Sequence, residues 1–122
     1  MEPSLRAPYG RYRHVVDVEN ARRLVFFSGQ LGVRADDTVP EGVAAQTELI
    51  LANVEQQLRE LELSRHHLVR LTTFLVDPAD RDGYMAVRDG WVPDPPPAST
   101  LLYVAGLVNP ACKVEIEAIA AA

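Results

Sequence analysis

At 122 residues, 48% of them apolar and 24% charged, the chain is sized for one globular domain, 1–122, around a single buried core. Its 12 basic and 17 acidic side chains leave a net charge of −5, with scattered arginines and Lys113 as the only lysine, so a nucleic-acid backbone would meet repulsion rather than a basic stripe. The single cysteine, Cys112, can neither close an internal disulfide nor build a zinc site alone, no stretch could span a bilayer, and Met1-Glu2-Pro3-Ser4-Leu5-Arg6 has no apolar leader core; a cytoplasmic protein without nucleic-acid or membrane partners is expected.

In chain order, Arg13 to Val18 and Arg22 to Ser28 read as two strands joined by a turn at Glu19-Asn20-Ala21. Thr38-Val39-Pro40-Glu41 has the hydroxyl-to-glutamate spacing of a capping box. It should open a helix that carries Val43, Ile50, Leu51, Val54, Leu58 and Leu61 on one stripe. Leu68 to Val76 is rich in β-formers and reads as a long strand. Asp77-Pro78-Ala79-Asp80 then supplies an N-cap, a first-position proline and an acid at the positive end of a second helix, which should stop near Gly90. Pro93-Asp94-Pro95-Pro96-Pro97 enforces an extended connector. Two more strands, Ser99 to Ala105 and Cys112 to Ala120, flank a turn at Asn109-Pro110.

The order β-β-α-β-α-β-β is an α/β (α+β) pattern: a sheet of about five strands with both helices on one face. Leu24-Val25-Phe26-Phe27 and Leu101-Leu102-Tyr103-Val104-Ala105 do not alternate, so both sides of these strands are apolar. Two helices cannot cover two faces, and the uncovered face calls for another chain. The last strand sends Cys112, Val114, Ile116 and Ala118 one way and Lys113, Glu115 and Glu117 the other. Those carboxylates then sit in or beside an interface, or at a solvated strand end.

Element order and local motifs together resemble the Rid family (YjgF/YER057c/UK114). The motifs are Ser28-Gly29-Gln30, Gln46-Thr47 with Asn53, Thr72-Thr73-Phe74-Leu75-Val76-Asp77, Pro97-Ala98, and Val114-Glu115-Ile116-Glu117-Ala118-Ile119-Ala120. The resemblance implies a chorismate-mutase-like fold and a homotrimer built round a central barrel, with three clefts between subunits. It also implies hydrolysis of reactive imines and enamines to a keto acid and ammonia, without metal or organic cofactor. In those clefts Glu115 would position or deprotonate water, Tyr12 would stand at the rim, and Ser28 and Gly29 would border the substrate.

One position departs from the family pattern. Where deaminating members carry an arginine that grips the substrate carboxylate, this chain has Ser99, followed by Thr100. A hydroxyl gives one neutral hydrogen bond in place of a bidentate, charged clamp. The loss is roughly 1.5–3 kcal/mol for a charge-assisted bond. Arg88 on the second helix is either a substitute anion clamp or a solvated helix arginine. Trp91 either lines a broader apolar cleft or anchors the proline loop. His66-His67, adjacent at the start of a strand, would diverge to opposite faces and cannot chelate one ion, so no metal is expected. Cys112 reads as a small buried hydrophobe. The resulting expectation is an imine or enamine hydrolase of altered specificity, and the alternative is a trimer that binds a small metabolite without turnover.

Overall fold

The structure is a computed structural model that describes residues 5–122; the leader reading made on Met1 to Ser4 lies outside the described residues. Strands β1 (Leu24–Leu31), β2 (Leu68–Leu75), β3 (Ala98–Tyr103) and β4 (Val114–Ala121) form one mixed sheet in the order β1-β4-β2-β3. β4 runs antiparallel to both its neighbours, and β2 and β3 are parallel. Helix α1 (Val43–Glu60) links β1 to β2, and α2 (Arg81–Trp91) makes the crossover that the parallel pair β2 and β3 requires.

The core forms because two periodicities meet. Val43, Ile50, Leu51, Val54 and Leu58 recur at helical spacing along α1 and are buried. They pack on Phe27, Leu71, Leu75, Val114, Ile116, Ala118 and Ala120, which recur at spacing two along the strands. Tyr84 of α2 joins this cluster and bonds its hydroxyl to that of Thr73 on β2. Both helices therefore cover one face of the sheet, as the strand order suggested. The other face carries Leu24 and Phe26 from β1, Arg70, Thr72 and Phe74 from β2, Thr100 and Leu102 from β3, and Glu115, Glu117 and Ile119 from β4. Phe26 is 70% exposed there and Leu24 is 64% exposed.

Three expectations are corrected. Arg13 to Val18 is not a strand; only Arg13 makes a single parallel bridge, to Ala98, so the sheet has four strands among the described residues. The side chains of Arg11 and Arg13 bond backbone carbonyls of the 89–96 stretch instead, and this holds the segment as a loop. The Thr38–Glu41 capping box does not form. Thr38 donates from both its amide and its hydroxyl to Asp36, and α1 starts at Val43 after Gly42, whose φ of 92° suits a residue without a Cβ. A capping box forms elsewhere, between Ser64 and His67. Hence His66-His67 occupy a 3₁₀ turn before β2 rather than the strand itself. At Asp77 the capping chemistry holds but one turn early: its carboxylate accepts from the Ala79 amide and caps a Pro78–Asp80 3₁₀ turn, after which α2 starts at Arg81.

Gln46 ties the loops to this core. Its buried amide donates to the carbonyls of Pro40 (3.0 Å) and Ala111 (3.2 Å), and its oxygen accepts from the Lys113 amide (2.7 Å). One side chain thus satisfies backbone groups on both connections that lead to the open end of the sheet. Gln46→Leu keeps the volume but strands those groups, each costing about 1–3 kcal/mol when buried unpaired. A urea denaturation midpoint for Gln46→Leu that matches wild type would contradict this account; a loss of at least about 2 kcal/mol is expected.

Candidate functional site

The site residues fall into two groups on opposite sides of the sheet. The first is built by an irregularity in β1. Pairing steps from Phe27↔Ala118 to Gln30↔Ile116, so Ser28 and Gly29 together oppose the single residue Glu117. Such a bulge re-aims the backbone. Here it brings the Gly29 α-carbon under the side chain of Glu115. A Cβ at Gly29 would lie 1.9 Å from Glu115 Oε2 and 2.8 Å from its carboxyl carbon. A side chain at this position would have to displace the carboxylate, which occupies the volume a Cβ would take. Glu115 is half-buried and borders an apolar recess with Phe74, Val104, Leu107 and Val108. No described arginine, lysine or histidine pairs with it. An unpaired carboxylate beside an apolar wall can take a proton from water without being quenched by a neighbouring cation. Ser28 is exposed and faces a neighbouring hollow with Phe26, Arg70, Thr72 and Glu117.

The second group surrounds a cavity of about 280 Å³ on the helix side. Tyr9, Gly10 and Tyr12 come from the N-terminal segment, Arg81, Tyr84, Met85 and Arg88 from α2, and Ser99 and Leu101 from β3. The N-terminal rim is pinned. Arg11 donates to the carbonyls of Asp89, Val92 and Pro93, Arg13 Nε donates to Pro96 O at 2.6 Å, and the Tyr9 amide donates to the Tyr12 hydroxyl at 3.1 Å. Arg88 is not solvated: it is 2% exposed. Its NH1 bonds Asp89 Oδ1 at 2.9 Å, while its buried NH2 has no hydrogen-bond partner among the described residues. Burial pushes the Tyr84 hydroxyl pKa up, against the opposing effects of its bond to Thr73 and the nearby Arg88 charge.

The structure thus brings Tyr12, Arg88 and Ser99 together, and separately Gly29 and Glu115. Register separates the two groups. Glu115 lies opposite Phe74 on β2, whereas Ser99 lies opposite Leu71, three residues along the strand and on the other face. Ser99 and Thr100 do not form one wall. Thr100 points to the open face, where its hydroxyl accepts from Arg70 at 2.7 Å. Trp91 joins neither group: it sits in a groove with Leu51, Ala52 and Val87, under the Arg65 guanidinium 5.5 Å from its ring. Sequence reasoning missed Arg70, Thr72 and Phe74, although their alternation within β2 marks them as one face. It also missed Tyr84, which stands four residues before Arg88 and so shares its side of the helix. Among the described residues, no three His, Cys, Asp or Glu side chains converge as a metal site, and no helix is long and apolar enough to cross a membrane.

A mixed sheet with two helices on one face, a glycine bulge and an acid seated on it defines an α+β protein of Rid type. A family model described as "Endoribonuclease L-PSP" matches residues 3–122. The protein mmf2, mitochondrial, of Schizosaccharomyces pombe is 38% identical over 101 residues, which cover 80% of this chain and 79% of that one. Reactive Intermediate Deaminase A, chloroplastic, of Arabidopsis thaliana is 34% identical over 116 residues, 93% of this chain and 60% of that one. The solved structure of a Rid-family protein of unknown function, YyfB from Yersinia pestis, superposes with a TM-score of 0.81 at 27% identity, covering 100% of this chain and 96% of its own. The chain belongs to the Rid family (YjgF/YER057c/UK114).

Cys112 adds no nucleophile. It is buried, and burial together with the Glu115 charge pushes its thiol pKa up, so the neutral thiol dominates at neutral and mildly alkaline pH. Iodoacetamide should alkylate it slowly in native buffer at pH 8 and rapidly in urea, as followed by mass spectrometry; equal rates would contradict its burial.

Proposed function

We propose that this protein hydrolyses a reactive imine or enamine to the corresponding carbonyl compound and ammonia, at clefts completed by neighbouring copies in a homotrimer. The observation that carries the reading is the unpaired Glu115 carboxylate seated over Gly29 beside an apolar recess. In the first step Glu115 accepts a proton from water as the water oxygen bonds to the imine carbon. The C=N electrons move to nitrogen, which takes that proton from Glu115, and a carbinolamine results. In the second step Glu115 takes the carbinolamine hydroxyl proton and passes it to nitrogen as the C–N bond breaks, so the carbonyl forms and neutral ammonia leaves. One carboxylate can serve both steps, first as base and then as acid. The name of the Arabidopsis relative, a reactive-intermediate deaminase, supports the same chemistry.

Assembly is supported by the open face. Leu24, Phe26 and Leu102 are exposed on it, with Phe74 and Ile119 beside them. Exposed apolar patches of this kind on both sides of a polar centre, made by Arg70, Thr72, Thr100 and Glu117, are what an interface would cover. The family description names an endoribonuclease, but a net charge of −5 and the absence of a basic stripe favour a small-molecule substrate. Ser99, standing where deaminating relatives have arginine, would shift specificity away from their usual substrates. It also keeps in view a second reading, a trimer that binds a metabolite without turnover.

The test supplies 2-iminopropionate and a bulkier 2-imino acid from an amino-acid oxidase and follows keto-acid formation over the spontaneous rate. Acceleration of either is expected, and Glu115→Gln should lower kcat by about 10²-fold or more, in the range of general acid–base contributions. Gly29→Ala should act in the same direction with little change in melting temperature, because its methyl displaces only the flexible end of Glu115. If the Glu115→Gln rate equals wild type, the assigned base is wrong. If no imine is turned over while ligands still bind, the second reading stands. Light scattering after size exclusion should give three times the chain mass of 13.5 kDa; a monomer at micromolar concentration would remove the basis for shared clefts.

A further inference from the structure

The strands carry only three charged residues, Arg70, Glu115 and Glu117, and all of them lie on the open face. Glu115 is accounted for by its seat over Gly29. Arg70 and Glu117 are not. Arg70 lies opposite Ile119 and Glu117 opposite Thr72, so the two stand on a diagonal between neighbouring strands. Both border a hollow of about 280 Å³ beside Phe26, Ser28 and Thr72. Such a diagonal is within reach of a long side chain, yet no ion pair joins them. The Arg70 guanidinium turns the other way, across β2, and donates to the Thr100 hydroxyl on β3 at 2.7 Å. Glu117 is exposed, and its carboxylate has no cationic partner among the described residues.

The two charges sit between exposed apolar residues, Leu24 and Phe26 of β1 on one side and Leu102 of β3 on the other. A contact that closes over those residues takes water from the centre as well, and a charge left there without a partner is strongly unfavourable. Apolar burial also has no direction of its own, whereas opposite charges that must meet fix the register of a contact and suppress wrong ones. The face holds one cation and one unpaired anion, so the partner whose charges complement it is another copy of the same face. We infer that the open face is the surface through which copies of this chain recognise one another, with Arg70 of one chain paired to Glu117 of the next. In a closed ring every chain gives its Arg70 to one neighbour and receives the other neighbour's on its Glu117, so no charge is left over. The bond to Thr100 can persist, because a guanidinium has five donors and that bond uses one. This rests on the homotrimer proposed above and adds to it the contact that sets how the copies are oriented.

The experiment follows mass by light scattering along a dilution series of the full chain. Arg70→Glu and Glu117→Arg each set like charges against one another, and each variant should need at least about a tenfold higher concentration than wild type to assemble. Mixed in equal amounts, the two variants offer opposite charges only across chains. The mixture should therefore assemble at a lower concentration than either variant alone, although a ring of three keeps one mismatched contact. Arg70→Gln and Glu117→Gln should each weaken assembly by stranding the other charge, and the double glutamine variant should fall short of the sum of the two effects. A mixture no better than its components overturns the inference, because the pair then acts within one chain or not at all. Glutamine effects that simply add overturn it too, and they decide the matter if a charge-reversed chain does not fold. If wild type assembles and the natively melting Arg70→Glu and Glu117→Arg chains assemble equally well, the homotrimer stands and this pairing falls. A wild-type chain that stays monomeric sinks both.

Discussion

Everything in this molecule depends on the register of β4 between β1 and β2. Val114, Ile116, Ala118 and Ala120 face the helices, and Glu115, Glu117 and Ile119 face away. Because side chains alternate at spacing two, a slip of one residue would drive Glu115 into the core and expose Ile116. The apolar pattern on the helix side penalises such a slip heavily, and antiparallel pairing on both flanks fixes it twice. The bulge at Ser28-Gly29 is tolerable only within this frame. It absorbs the extra residue on β1 without shifting β4, and it turns a local irregularity into the bed on which Glu115 rests.

The proline run and the arginine-rich N-terminal segment solve one problem together. Proline offers a carbonyl but no N–H, so the stretch from Pro93 to Pro97 lacks the donors a reciprocal strand ladder needs, and its carbonyls take donors from elsewhere. The carbonyls of Val92, Pro93 and Pro96 accept from Arg11 and Arg13, and that of Pro97 accepts from the Arg13 amide. Arg11 also reaches the Asp89 carbonyl at the end of α2, where a positive charge complements the helix dipole. Tyr12, between the two arginines, is thereby held at the cavity rim. Two compositional oddities far apart in sequence are donor and acceptor halves of one clamp.

The parts of the fold legible in the sequence were those in which one local rule acts alone. The α1 stripe, the Asp77-Pro78 start and the alternation of β4 each follow from periodicity or capping chemistry within a few residues. Arg13 to Val18 misled because its β-formers compete with arginine side chains whose acceptors lie some 80 positions on. Thr38 misled because Asp36, two residues back, offers its hydroxyl and amide a nearer acceptor than a helix end would. Arg88 had two open readings for the same reason. Its burial is decided by Asp89, by Tyr84 one turn earlier and by the N-terminal rim, and only the first two are local. At the site, alternation was enough to pick out Glu115, and the same alternation places the neighbours Ser99 and Thr100 on opposite faces.

The placement of the two charged groups on opposite faces of a sheet has a physical logic of its own. A free guanidinium and a free carboxylate within one pocket would find each other, and a buried pair of that kind neutralises both members. With β2 and its neighbours standing between them, neither group can quench the other inside one chain. Glu115 keeps its carboxylate on the open face, whereas Arg88 stays enclosed beside Asp89 on the helix side. The strand register that buries the core therefore also keeps the Glu115 carboxylate apart from the buried arginine.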